Sequence, residues 1–307
     1  MRLVYLIACA GSLLLASQAV AGDSYVLYSD FGAVGDGVTD DFEAIAKAHA
    51  YANEKDLPVD AGGEAIYYIG GADRTIVIQT NTNFGKARFI IDDTEVANHR
   101  SNVFEVRSRH KAIALKGVSS LKRGQTRIDA KLPGPCLVTA TDRSVRRFIR
   151  RGGNRNQGSH QTDSFLVDQS GQVDPKTPIV WDFDQISRLD AQPVDKEQLV
   201  LKGGHFTTIA HSKTSTAYHA RGIVIRRSKV LVEGLKHYVK GEGDEGPPYR
   251  GFISISNAAN VTVRDSIVSG RKTYHKIGSA GHRVPMGSYG ISINNSVNVA
   301  LVNVSQS

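Results

Sequence analysis

The sequence predicts an all-β chain wound as a right-handed parallel β-helix, carrying an N-terminal capping helix and a β-rich insertion. Three observations predict it. A unit of two short alternating strands recurs toward the C-terminus. One amphipathic helix follows a Gly/Asp-rich turn near the N-terminus. Thiols are too few for a disulfide framework, so burial and backbone hydrogen bonds must hold the core.

The repeat comes first. Gly222-Ile223-Val224-Ile225 is followed by Val230-Leu231-Val232, Gly251-Phe252-Ile253-Ser254-Ile255 by Val261-Thr262-Val263, and Gly290-Ile291-Ser292-Ile293 by Val299-Ala300-Leu301. Val230, Val261 and Val299 therefore stand 31 and 38 residues apart. Units of this kind cannot bury an apolar face alone, so they must stack. Asn260 and Asn298 hold the same place before the second strand, with Lys229 there in the first copy. Stacked asparagines can hydrogen-bond up such a column. The extra length falls between Lys236 and Arg250 and between Arg271 and Tyr289, so those excursions should project from one side.

At the other end, Tyr25 to Tyr28 reads as a short strand leading into the turn Asp30 to Asp41. Asp40 can cap the helix that follows, and Glu43 three residues on completes a capping-box pattern. Phe42, Ile45, Ala46, His49 and Ala52 recur at helical spacing, Lys55-Asp56 ends the helix, and Ala65 to Ile69 is again a strand. Arg88 to Ile91, Val103 to Val106 and Ala112 to Leu115 read as early coils. The pattern breaks between Leu121 and Leu199, which predicts the insertion over residues 121–200.

The run from Asp30 to Asp41, one helix, then a Gly-rich turn and Tyr67-Tyr68-Ile69 resembles the opening segment of the pectate-lyase superfamily, which includes rhamnogalacturonase-like and epimerase-like proteins and phage tailspikes. The resemblance covers about 45 residues and implies a helix plugging the N-terminal end of a β-helix over residues 22–307. It implies no particular reaction. The chain lacks the Gly-His-Gly, paired aspartates and Arg-x-Lys of polygalacturonases. It also lacks the W-x-D-H and R-x-P-x-x-R signatures of calcium-dependent pectate lyases.

Arg2, the apolar run Leu3 to Leu15 and Ala19-Val20-Ala21 predict a signal peptide over residues 1–21, cleaved after Ala21, and hence a secreted or periplasmic protein. Leu6-Ile7-Ala8-Cys9 fits a lipobox, but Cys9 lies inside the apolar run instead of at its end. Cleavage leaves Cys136 as the one thiol. No later segment is apolar enough to span a membrane. The net charge of +8, about +7 once Arg2 is removed, predicts a polyanionic partner, an acidic polysaccharide. Export argues against nucleic acid. The third repeat finishes near Val304 with no closing element after it, which predicts a truncated solenoid that self-associates through its uncapped coil.

Several motifs give way to plain structural readings. Gly32, Gly35 and Gly37 have the wrong spacing for a dinucleotide fingerprint, and the aspartates around them would repel a pyrophosphate. No EF-hand or other calcium-ligand motif is recognised, which leaves any cofactor, Ca2+ included, open. The late histidines, among them His205, His211, His219 and His282, form no metal signature. Asp182 and Asp184 read as surface residues beside a buried Trp181. The arginine-rich stretch Thr141 to Arg155, if helical, sets Val145, Phe148 and Ile149 in one apolar stripe and turns the arginines outward. Those arginines either form a solvated face or dock an acidic glycan.

The two excursions hold the richest chemistry. Eliminative cleavage of a uronic-acid polymer needs a cation on the substrate carboxylate, a base for the C5 proton and an acid for the leaving oxygen. His237 and Lys272 are the candidate bases and Tyr238 and Tyr274 the candidate acids. Arg250, Tyr249, Arg271 and His275 are candidates for substrate binding. Hydrolysis would instead need two carboxyls, from Glu242, Asp244 and Asp265. The sequence thus reads as an exported polysaccharide lyase acting on an acidic glycan. A glycoside hydrolase and a non-catalytic, adhesin-like or tailspike-like glycan binder are the alternatives.

Overall fold

The computed structural model describes residues 25–71, 73–96, 99–148, 158–211, 218–242, 248–270, 273–277 and 283–306, and for 273–277 and 283–286 the backbone alone. The signal-peptide reading, Lys272, Arg271 and Asp244 lie outside the described residues.

The chain is a right-handed parallel β-helix with three faces. The first face stacks Val26–Leu27, Val59–Asp60, residues 82–83, residues 199–202, Val230–Glu233, residues 259–264 and residues 297–302. The second stacks Asp36–Asp40, Ile66–Ile69, residues 88–92, residues 205–209, Lys236–Lys240, residues 266–268 and residues 304–306. The third stacks Ile76–Ile78, Phe104–Arg107, Ile223–Arg226, Ile253–Ser256 and Ile291–Asn294. Val230 pairs with Val261, and Val261 with Val299, as the repeat requires.

Tight corners explain why the faces turn where they do. Between the first and second faces the chain takes positive φ at Gly85, Gly203, Gly234, Asp265 and Asn303. The left-handed region costs an ordinary side chain about 1–2 kcal/mol, and Gly, Asn and Asp tolerate it best. Between the third and first faces, Lys229, Asn260 and Asn298 do the same, and Asn298 Nδ2 donates to Asn260 Oδ1 at 3.1 Å. A second column, Asn303 Nδ2 to Asp265 Oδ1 at 2.7 Å, is one the sequence reading missed.

Helix Phe42–Lys55 closes the N-terminal end, burying Phe42, Ala44, Ile45, Ala48, His49 and Ala52. Asp40 Oδ1 accepts the Phe42 N–H at 3.0 Å. The other aspartates of the turn have structural roles too. Asp41 is buried and accepts from the Val34 N–H, and Asp36 accepts from Val38 and Thr39. Inside, an aromatic column runs Tyr67, Phe89, Phe206, His237 through successive pairings, with Phe89 and Phe206 stacked at 4.7 Å.

The insertion leaves the third face after Arg107 and rejoins the first at Leu199. It is an antiparallel sheet in the order Ser159–Val167, Cys136–Arg147, Arg188–Pro193, Ile113–Ala114. Residues 113–114, expected in an early coil, belong to this sheet because they pair with Asp190 and Ala191. Thr141 to Arg147, whose apolar stripe would have required a helix, is strand, because residues 136–147 pair with Ser159–Val167, and residues 136–141 with Arg188–Pro193 as well. The sheet buries its own core of Leu121, Ile128, Val138, Phe165, Ile179, Phe183 and neighbours.

Candidate functional site: a basic cleft between the solenoid and its insertion

A cleft of about 780 Å³ lies between the third face and the insertion. Alternation builds both walls. On Phe104–Arg107, Phe104 and Val106 point into the solenoid, so Glu105 and Arg107 point out. On Ile223–Arg226 the same rule puts Arg226 outside, opposite Arg107 in register. Across the cleft, Leu189 and Ala191 fill the insertion core, which turns Arg188, Asp190 and Gln192 to the other side. Thr139, Thr141 and Thr162 continue that wall.

The cleft is electropositive. Arg107, Arg109, Lys111, Arg188 and Arg226 line it against two carboxylates, Glu105 and Asp190. Glu105 is largely buried and gripped from both coils. Arg107 donates Nε to Oε1 at 3.0 Å and Nη2 to Oε2 at 2.7 Å, while Arg226 Nε lies 3.6 Å from Oε1. Asp190 pairs with Arg188, and Arg109 Nη2 donates to Asp56 at 3.0 Å. No interaction ties down the Lys111 ammonium among the described residues. Low-dielectric walls of one sign concentrate a polyanion.

The residues expected to carry the chemistry are distributed otherwise. His237 faces inward, 3 % exposed, because it takes a phenylalanine's place in the aromatic column. It stacks on Phe252 at 3.9 Å, and its ring nitrogens meet Thr208 Oγ1 at 3.0 Å and the Ser269 carbonyl at 3.2 Å. Burial pushes its pKa down to about 3. It is a core residue with no path to a polymer, which corrects its reading as a base. Tyr238, next along, is 43 % exposed on the second face. Tyr249 is also buried, donating its hydroxyl to Asp93 Oδ2 at 3.1 Å, while Arg250 is exposed. Asp265 is a corner residue, bonded to Asn303. Glu242 is half-buried at the start of the first loop. Tyr274 and His275 lie on strand Thr273–Ile277, which pairs with Arg283–Gly287. The bases of the two excursions do stack, through Tyr289 N–H to the Tyr249 carbonyl at 2.9 Å.

Near those loops a polar cluster is packed into the corner between the second and third faces. Arg221 Nε donates to Asp93 at 2.8 Å, with both side chains buried. His99, His219 and His211 stack beside them at 5.0 and 5.4 Å. Burial pushes His219 down to about 3 and raises Asp93 to about 6. Among the described residues no group of three or more His, Cys, Asp or Glu converges as metal ligands.

The cleft went unseen in the sequence because its two walls lie far apart along the chain. The signal was nonetheless present. Glu105 and Arg107 alternate with apolar residues, and Arg226 closes an apolar run on the neighbouring coil.

Together these features define a parallel β-helix with an electropositive groove on one face. Neither a protein-family model nor a curated protein sequence matches the chain. Solved structures do. The tailspike protein of Pseudomonas phage LKA1 is 15 % identical over 91 % of this chain and 56 % of its own, with a TM-score of 0.43. A tailspike of Acinetobacter baumannii bacteriophage AP22, solved with capsular saccharide, is 9 % identical over 91 % and 46 %, with a TM-score of 0.40. An exopolygalacturonase of Yersinia enterocolitica is 13 % identical over 93 % and 50 %, with a TM-score of 0.32. This chain spans about half the length of each. The likeness is one of fold. No helix among the described residues is long and apolar enough to cross a membrane.

Proposed function

We propose that this is a carbohydrate-active protein that lays a strand of acidic polysaccharide along the cleft and cleaves it by β-elimination. The observation that carries the reading is the excess of cations in a groove open along the solenoid axis, with Glu105 held between arginines of adjacent coils. Guanidinium groups recognise carboxylates in the plane, with two N–H donors each. Arg226 and Arg188 would hold substrate carboxylates, and a uronate so neutralised has a more acidic C5 proton. Lys111, lacking an ion pair among the described residues, would take the C5 proton as its free amine and, as the ammonium so formed, return it to the leaving oxygen as the double bond forms and the glycosidic C–O bond breaks.

Hydrolysis is the weaker reading on this geometry. It needs a carboxyl that donates a proton to the leaving oxygen. Both Glu105 oxygens already accept guanidinium N–H groups, and Asp190 accepts from Arg188, so each is occupied as an acceptor.

Incubation with polygalacturonate, alginate and chondroitin sulfate tests the proposal. Ultraviolet absorbance of an unsaturated uronate is expected with one of them, lowered about a hundredfold in rate by Arg226→Ala through loss of a charge clamp. New reducing ends without that absorbance would move the reaction to hydrolysis by Glu105 and Asp190. Neither signal, with binding intact, would leave a glycan-binding protein. Binding and turnover unaffected by Arg226→Ala would remove the cleft from consideration.

A further inference from the structure

Away from the cleft, the insertion exposes the chain's only tryptophan. Trp181 was expected to be buried but is 41 % exposed, because Phe183, two residues on, takes the core position. Val180 beside it and Phe148 at the end of the neighbouring strand are also exposed. None of these residues lines the cleft.

The indole is held in a built arrangement. The Arg147 guanidinium lies 4.2 Å from its ring centroid. Gln161, itself buried, fixes that guanidinium by accepting both Nε and Nη2 on one oxygen. The Gln161 amide donates in turn to the Asp182 carbonyl, next to Trp181, at 2.7 Å. Ring and cation are therefore locked to one frame, while Arg147 Nη1 keeps no partner among the described residues. Arg143 and Arg146 are exposed on the same strand end and form no ion pair among the described residues. The nearby acids are already engaged. Asp184 pairs with Lys122 at 2.8 Å, Asp182 accepts the Arg123 N–H, Asp163 accepts the Val180 N–H, and Asp142 accepts from Ser144.

We propose that Trp181 and Arg147 form a second binding site for an anionic polysaccharide, on the insertion and separate from the cleft, with Arg143 and Arg146 on the same strand end adding positive charge at longer range. A pyranose presents an apolar C–H face that packs on the part of the indole Arg147 leaves exposed, and a carboxylate or sulfate on that sugar or its neighbour would accept from Arg147 Nη1. Because the pair is already rigid, little ordering cost remains at binding. The unpaired arginines add attraction that reaches about 8 Å at physiological salt. A flat ring clamped against the insertion suits a sugar better than it suits a bilayer, where an aromatic anchor projects outward. The proposal does not depend on the cleft. A chain held at the insertion would also feed the groove, raising the local concentration of substrate.

The single tryptophan makes the test direct. The full chain is titrated with polygalacturonate, alginate and chondroitin sulfate while tryptophan emission is read, with dextran as the neutral control. A saturable change with at least one acidic polymer and none with dextran is expected. Arg147→Ala should weaken its midpoint about tenfold, and Arg146→Glu, which alters only an exposed side chain, should weaken it severalfold. The cleft variant Arg226→Glu should leave it in place. Silence across all three polymers would overturn the proposal. So would a response undiminished in both insertion variants, one abolished by Arg226→Glu, or one seen only with phosphatidylglycerol vesicles. Failure of the cleft reading would appear separately, as unchanged turnover in the cleft variants.

Discussion

In the solenoid each strand pairs in parallel with its counterpart one coil away, and every face contributes to a single long core. In the insertion the strands pair antiparallel with near neighbours and close a compact core of their own. The two also differ in what the core holds. In and against the solenoid core stand the buried histidines His49, His219 and His237, whereas the polar groups buried in the insertion are Asp142, Gln161 and Asp163, held by its own strands and loops. The contrast teaches that stacking lets a polar residue enter the interior when the next coil offers it a partner. His237 meets Thr208 above and the Ser269 carbonyl below. In the insertion the partners are local instead of stacked: Gln161 meets Arg147 and the Asp182 carbonyl, and Asp163 meets the Ser164 and Val180 N–H groups.

The largest effects should come from glycines where coils or strands touch backbone to backbone. A Cβ at Gly222 would overlap the Phe252 carbonyl of the next coil, and one at Gly171 would overlap the Ile128 carbonyl within the insertion. Gly222→Val and Gly171→Val should each cost about 4 kcal/mol or more. If the two regions are separate cooperative units, hydrogen exchange will show Gly171→Val releasing the insertion amides while the solenoid stays protected. Simultaneous loss of both in that variant would erase the distinction.

A pH effect of intermediate size should fall mainly on the solenoid. Burial holds His49, His219 and His237 down to about 3 in the folded state, against 6.5 for a free imidazole. Below pH 6.5 the unfolded chain takes up protons that the native chain refuses, so stability declines as pH falls from there toward 3. The slope is about 1.4 kcal/mol per pH unit for each histidine, and below pH 6 buried Asp93, raised to about 6, acts in the opposite sense and offsets one of the three. Denaturant midpoints measured from pH 7.5 to 5 should drop steeply for solenoid amides and little for those of the insertion. A flat profile would mean that these histidines ionise inside the fold.

The smallest effect should come from the exposed corner column. Asn298→Ala removes the bond to Asn260 and leaves at φ of 51° a residue that tolerates the left-handed region less well than asparagine, a loss of about 1–2 kcal/mol. Asn298→Gly should cost less, since it relieves the strain while losing the same bond. Thermal midpoints of the two variants, compared with Asn303→Gly in the second column, would show whether the ladders stabilise through hydrogen bonds or through backbone conformation.

Much of the solenoid was legible in the sequence, because each coil restates the pattern of the last and inward positions alternate with outward ones. Val230, Val261 and Val299 fall into one column on that ground, and Asn260 below Asn298 on the same ground. The expected site was less legible. His237 stands in a strand where alternation alone puts it inside, opposite Phe206, yet its chemistry invited a catalytic role. Trp181 misled in the opposite sense, since size suggested burial and Phe183 held the core position instead.

By itself, the sequence determined the stacking unit, the corner residues, the capping helix and the positive balance, because each depends on side-chain pattern within a few dozen residues. Tertiary structure decided where the charges meet. Glu105, Arg107 and Arg226 become one cluster only when coils separated by the whole insertion lie side by side. Arg188 and Asp190 face them only because the insertion folds back over the third face. Periodicity is a local property of a chain, but a cleft between two walls is set by how distant segments pack, and no spacing along the sequence encodes that distance.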